Sequence, residues 1–136
     1  MLEKVRAALI LVVEDVHEIS DGIERLLKAD GYRVVLASDE LEGIKSAQLT
    51  PPHLILMNWR RLSGEVLPVV HRIRERAAVG DQIPVVFWIE DIDEGEEVAV
   101  GGNVHLMRPD SFNQLRGLLA RLLNESSKSH ELFITD

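Results

Sequence analysis

The stretch Leu54-Ile55-Leu56-Met57-Asn58, preceded by the turn pair Pro51-Pro52, decides how this chain reads. An apolar run this short is too brief for a helix and suits a strand buried on both faces of a sheet. In a doubly wound α/β sheet, ligands bind outside the carboxyl ends of the strands. The residue that ends a central strand therefore points to where any chemistry is done. Here it is Asn58, whose amide cannot act as an acid, a base or a carboxylate nucleophile.

Working outward, the pattern of strand then helix repeats five times. Ala7 to Val13 is an apolar run ending in Glu14-Asp15 and reads as the first strand. From His17 to Ala29, Ile19, Ile23, Leu26 and Leu27 recur at helical spacing before the stop Asp30-Gly31. Tyr32 to Ala37 makes a second strand. Ser38 is placed to cap a helix running to about Leu49, with Glu42 three residues after Asp39. Beyond the central strand, a helix covers Glu65 to Ala77, starting close to Pro68 because proline is tolerated only in a first turn. Pro84 to Ile89 is a fourth buried strand and His105 to Met107 a short fifth one. Between them, the acidic segment Asp91 to Val98, interrupted by Gly95, makes a poor fourth helix, expected to be short or irregular. Ser111 caps a last helix whose stripe is Leu115, Leu118, Leu119, Leu122 and Leu123. The expected organisation is one domain over residues 1–124 and a polar tail over 125–136, in which Phe133 and Ile134 could still dock. Strands joined in sequence by helices imply a parallel sheet with right-handed crossovers and both faces covered.

Composition narrows the function. The net charge of −8 opposes broad nucleic-acid binding, which needs a basic footprint. One basic island interrupts the acidic chain, Arg60-Arg61 with His71-Arg72-Ile73-Arg74-Glu75-Arg76; it reads as a solvated helix face or a docking patch for an acidic partner. The absence of cysteine removes disulfides, thiolate nucleophiles and Cys-ligated zinc, and fits a cytoplasmic protein. No apolar run approaches the roughly 18 residues of a membrane span. No Gly-rich phosphate loop follows the first strand, which argues against a nucleotide-binding flavodoxin-like protein.

In this layout the strand ends bring Glu14-Asp15, Asn58, Ile89-Glu90 and Arg108-Pro109 to one edge of the sheet. Paired acids beside a third oxygen ligand are what a hard cation such as Mg²⁺ takes. Over about Leu9 to Leu123 the chain resembles the receiver domains of two-component response regulators, the CheY-like family. The resemblance rests on Ile10-Leu11-Val12-Val13-Glu14-Asp15, Pro52-His53-Leu54-Ile55-Leu56-Met57, Ile83-Pro84-Val85-Val86, and Gly101-Gly102 through Arg108-Pro109. It implies a flavodoxin-like (βα)5 fold with a five-stranded parallel sheet in the order 2-1-3-4-5.

The departures from the family pattern carry the functional expectation. Asn58 stands where the family has its phosphoacceptor Asp, Ile89 where it has a switch Ser or Thr, Arg108 where it has a Lys, and His105 at the switch aromatic. The loop after Asn58 is shorter than the family's. An amide is no useful nucleophile and takes one negative charge out of the acidic pocket, so Mg²⁺ at Glu14 and Asp15 should be weak or absent. Arg108, always charged and planar, could pair with Glu14 or Asp15 in the cation's place. Such a pair near the surface attracts by roughly 4 kcal/mol at ~4 Å before desolvation. The expectation is a stand-alone pseudo-receiver: a binding protein without phosphotransfer, enzyme activity or bound cofactor. It would act through a protein partner such as a histidine kinase, a regulator or an output protein, or through a homodimer. The alternative is a Mg²⁺-dependent receiver that accepts a phosphoryl group on another acid.

Overall fold

The computed structural model describes the chain from residue 7 to residue 134, with side chains described as far as Glu125. The run at Leu54 forms a strand, β3 (Leu54–Trp59), two residues longer than expected, so that Asn58 and Trp59 lie within the sheet. On one side of it stand β1 (Leu9–Val13) and β2 (Arg33–Ala37); on the other stand β4 (Val85–Ile89), β6 (Val104–Met107) and β5 (Glu97–Gly101). The sheet order is β2-β1-β3-β4-β6-β5, with β5 antiparallel to β6 and every other pair parallel.

Period-two alternation divides the central strands between two cores. Ile55, Met57, Trp59, Val85, Phe87 and Ile89 face α2 (Glu40–Leu49) and α3 (Val66–Ala77). Leu54, Leu56 and Val86 face α1 (His17–Ala29) and α4 (Phe112–Ile134). Each fully buried Leu or Ile contributes about 1.5–3 kcal/mol through the surface it removes from water. Of the expected leucine stripe of α4, Leu115, Leu118, Leu119 and Leu122 are buried and Leu123 only partly, and Gln114 N–H donates to Ser111 Oγ at 3.3 Å. The cap of α2 is Asp39 rather than Ser38. Asp39 Oδ1 accepts from Glu42 N–H at 2.8 Å, while Glu42 reaches back to the Ser38 amide at 2.9 Å. The helical backbone of α4 runs on to Ile134, through the segment expected to be a tail; the side chains of Phe133 and Ile134 lie outside the described ones.

The larger correction lies between β4 and α4. Among the described residues the sheet has six strands, not five, and no helix occupies Asp91–Val98. Its place is taken by a β5–β6 hairpin closed by the two residues Gly102 and Asn103. Both have positive φ, at 62° each, which is the backbone of the tight turn that matches strand twist. Val98 and Val100 are half-buried against the core on the α3 side, so the β-branched residues hold the strand to the sheet. Asn103 Nδ2 donates to the Asp81 carbonyl at 3.0 Å and its Oδ1 lies 3.0 Å from His105 Nε2, which fastens the turn to the neighbouring loop and strand.

This turn gives the first prediction. Asn103→Ala loses two hydrogen bonds and forces alanine into the left-handed region, at a cost of about 1–3 kcal/mol in urea unfolding. Asn103→Gly keeps the backbone and should cost distinctly less. Equal losses for the two variants would mean that φ does not matter there.

Candidate functional site

Glu14 follows β1 directly, and its amide continues the sheet by donating to the Ala37 carbonyl at 2.9 Å. Its carboxylate is turned inward, leaving the residue 4% exposed in a chain whose other acids mostly face water. A buried carboxylate has to be paired or bonded, since an isolated charge away from water is strongly unfavourable. Glu14 has three donors. Val16 N–H reaches Oε2 at 2.8 Å, Asn58 Nδ2 donates to Oε1, and the Arg60 guanidinium sits on both oxygens at 3.0 and 3.2 Å. The same guanidinium extends its other Nη to Asp15 Oδ1 at 2.8 Å. One planar cation thus bridges the acidic pair.

The loop after β3 aims Arg60 there. Trp59 lies 7% exposed, edge-on to Phe87 with ring centroids 5.3 Å apart. Its indole N–H donates to the Leu62 carbonyl at 3.0 Å, and the Arg61 guanidinium stands 5.6 Å over its ring. Ser63 N–H then donates to Asp91 Oδ2 at 2.8 Å, tying the loop to the β4–β5 connection. With both ends held, the intervening Arg60 turns toward β1. Its guanidinium is held above its ordinary pKa first by the hydrogen bond to Glu14. Asp15 is held below the usual carboxylate range, first by its link to the Glu14 carboxyl and then by the Arg60 charge.

Of the residues expected to share this site, the structure brings together Glu14, Asp15 and Asn58. Arg108 is not with them, which corrects the expectation that it pairs with Glu14 or Asp15. Its guanidinium turns to the other side, donating to the Ile92 carbonyl at 3.1 Å and standing 3.7 Å from Glu90. The cation on the acids is Arg60, a member of the basic island. Ile89 is fully buried beside Trp59 in the α3-side core and offers the site no polar atom. His105 lies on β6 facing α4, away from the acids. Burial pushes its pKa below the ordinary value, with Glu125 and Glu97 pulling against that.

The donor set does not fit a Mg²⁺ ion. An octahedral oxygen site needs free carboxylate lone pairs, and those of Glu14 are committed to an amide, an arginine and a backbone N–H. Among the described residues no group of three or more His, Asp or Glu is arranged to hold a metal.

Removing the bridge should therefore be costly. Arg60→Ala leaves the buried Glu14 with fewer donors and should lower unfolding free energy by about 1–3 kcal/mol. Arg60→Lys should recover only part, because an ammonium cannot fork between two carboxylates. The Asp15 contact contributes above its unfolded pKa and is lost as pH falls through the lowered folded value. The wild-type advantage over Arg60→Ala should thus begin to shrink below pH 3.8, the ordinary value for Asp. Unchanged urea midpoints in Arg60→Ala would contradict the bridge.

No family model matches the chain. Curated relatives do: the response regulator MprA of Mycobacterium sp. (strain KMS) is 28% identical over 123 residues, covering 87% of this chain and 51% of that protein. The KDP operon transcriptional regulatory protein KdpE of Escherichia coli (strain K12) is 26% identical over 121 residues, covering 87% and 52%. The chain thus spans about half the length of these relatives. Among solved structures, the chemotaxis protein CheY4 of Vibrio cholerae superposes with a TM-score of 0.62 at 21% identity, covering 85% of this chain and 98% of that one. A CheY-like receiver domain protein from Methanospirillum hungatei JF-1 gives 0.67 at 17% identity, covering 90% and 98%. The relatives support a response-regulator receiver domain of the CheY-like type, and the structural neighbours an α/β flavodoxin-like fold that, among the described residues, carries six strands and four α-helices.

Proposed function

We propose that this chain is a pseudo-receiver: a receiver domain of two-component signalling that works without phosphotransfer, as a binding protein rather than an enzyme. The observation that carries this reading is the Arg60 bridge across Glu14 and Asp15, with the Asn58 amide on the same carboxylate. In a receiver the acids hold a cation and an Asp accepts the phosphoryl group. Here a side chain of the protein supplies the cation, and the residue at the acceptor position is an amide that already spends its N–H₂ on Glu14. Ile89, buried in apolar surroundings, offers no hydroxyl to a phosphoryl oxygen. The site then holds one fixed state instead of two, and the signal lies in which protein binds it. A protein partner in the cytoplasm, such as a histidine kinase, a regulator or an output protein, is the class of ligand this reading implies. Against nucleic acid stands the net charge of −8. No helix among the described residues is long and apolar enough to cross a membrane.

The alternative, phosphorylation on another acid, would fall on Asp15, whose side chain is 69% exposed. That carboxylate is already engaged by Arg60, which favours the first reading.

The test is an amide spectrum with Mg²⁺ and beryllofluoride, a phosphoryl analogue. Wild-type protein should show no saturable shifts around Asn58 and Trp59 at millimolar Mg²⁺. Asn58→Asp alone restores a charge but leaves Arg60 in place, so its response should stay weak. Asn58→Asp with Arg60→Ala should bind both. Even then the β5–β6 hairpin should remain unshifted until Ile89→Thr is added, since a hydrogen bond to a charged group is worth roughly 1.5–3 kcal/mol. Sub-millimolar Mg²⁺ binding by the wild type would overturn the reading.

A further inference from the structure

The hairpin that replaces the expected helix leaves the sheet ending in β5, whose outer edge pairs with no strand among the described residues. An open antiparallel edge is a template for another strand. Several features of this edge suit a copy of itself. A two-fold axis at Ala99 would set Glu97 against Gly101 of the second copy, Val98 against Val100, and Ala99 against Ala99. The residue on the axis is then small, and the exposed Ala99 allows the backbones to meet. Val98 and Val100, half-buried on the α3-side core, would become cross-strand pairs that extend the same apolar layer. Glu97 does not obstruct, because Arg121 holds its carboxylate at 2.6 Å over the α4 side.

Charge distinguishes a second copy from an arbitrary strand. The turn that leads into β5 is acidic, with Asp93, Glu94 and Glu96 exposed. The other end is the turn at Gly102, where Arg74 donates to the Gly102 carbonyl at 2.7 Å and to the Ile83 carbonyl at 2.8 Å. Among the described residues Arg74 forms no ion pair within 4 Å, although the Asp81 charge acts on it, and its Nε is buried without a hydrogen-bond partner. Antiparallel self-pairing carries Glu96 of each copy, whose Oε1 accepts from its own Asp93 N–H at 2.9 Å, to Gly102 of the other, an anion to the tip that holds this cation. Beside the strand, a groove of about 310 Å³ between β5 and α4 has both signs on its walls, Arg121 against Glu97 and Glu125. A patch that must face itself needs both.

We propose that β5 is a dimerisation edge, joining two copies of this chain into one continuous twelve-stranded sheet through antiparallel β5–β5 pairing. The bulge between Ala99 and Gly101 keeps the pairing short. The interface therefore falls below the roughly 1,200 Å² of stable complexes, and the dimer is reversible. The proposal does not depend on the state of the acidic pocket.

Sedimentation equilibrium of the full chain over a wide concentration range tests it. The expected result is a monomer–dimer equilibrium that Ala99→Lys abolishes, because it places two like charges on the axis. Glu96→Lys, at an exposed position, should weaken the dimer by about tenfold or more with unchanged circular dichroism. Arg60→Ala should dimerise like the wild type, which separates this result from the fate of the pseudo-receiver reading. A chain that stays monomeric at all concentrations overturns the proposal. So does a dimer indifferent to both β5 variants, or a monomer that takes up an unrelated β-strand peptide instead.

Discussion

A carboxylate buried at the end of the first strand sets the terms for everything around it. Glu14 is carried inward by the sheet, since its amide still pairs with Ala37 while its side chain turns under the β3 loop. A charge in that position has to be met by donors, and each donor it has found restricts another element. Val16 N–H starts α1, Asn58 comes from the centre of the sheet, and Arg60 comes from a loop pinned by Trp59. The bridge to Asp15 adds little by itself, because Asp15 is exposed and water competes for it. The weight falls on the Glu14 contact.

On the proposed reading, this arrangement replaces an exchangeable ion with a tethered one. A free cation and a phosphoryl group can come and go, giving a site two states. A guanidinium two residues along the chain from Asn58 cannot leave, and its high effective concentration makes any competing cation bind against it. On the proposed pseudo-receiver reading, the other positions that a receiver uses are also without switching groups. Ile89 is part of the core, Arg108 serves the backbone of the β4–β5 connection, and His105 is half-buried under α4 with its proton affinity lowered. On that reading the molecule transmits by presenting surface, and at the end of the sheet that surface is a hairpin rather than a helix.

Much of the fold was legible because period and punctuation agreed. The apolar runs gave the parallel strands, the leucine spacing gave α4, and order along the chain put Glu14 beside Asn58. The hairpin was written in the sequence as well: Val98-Ala99-Val100 alternates, and Gly102-Asn103 is a two-residue turn signal before Val104. The acidic run before it resembles a failing helix, and the residues that decide for a strand lie just beyond it. The polar residues after Asn124 suggested a tail, yet polarity alone does not stop a helix when no Gly or Pro intervenes. Arg60 was the hardest to see, because a loop side chain's direction depends on how the loop is fastened. The available clue was charge: with Asn58 neutral, Glu14 and Asp15 needed a cation, and the nearest in sequence to the strand end was Arg60, not Arg108.

The direct measurement is a double-mutant cycle between Glu14→Gln and Arg60→Ala, read as unfolding free energy in urea. The account predicts a coupling within the usual range for contacting groups, about 0.5–3 kcal/mol in favour of the pair, with Arg108→Ala showing none toward Glu14. No coupling between Glu14 and Arg60, or a larger one between Glu14 and Arg108, would contradict it.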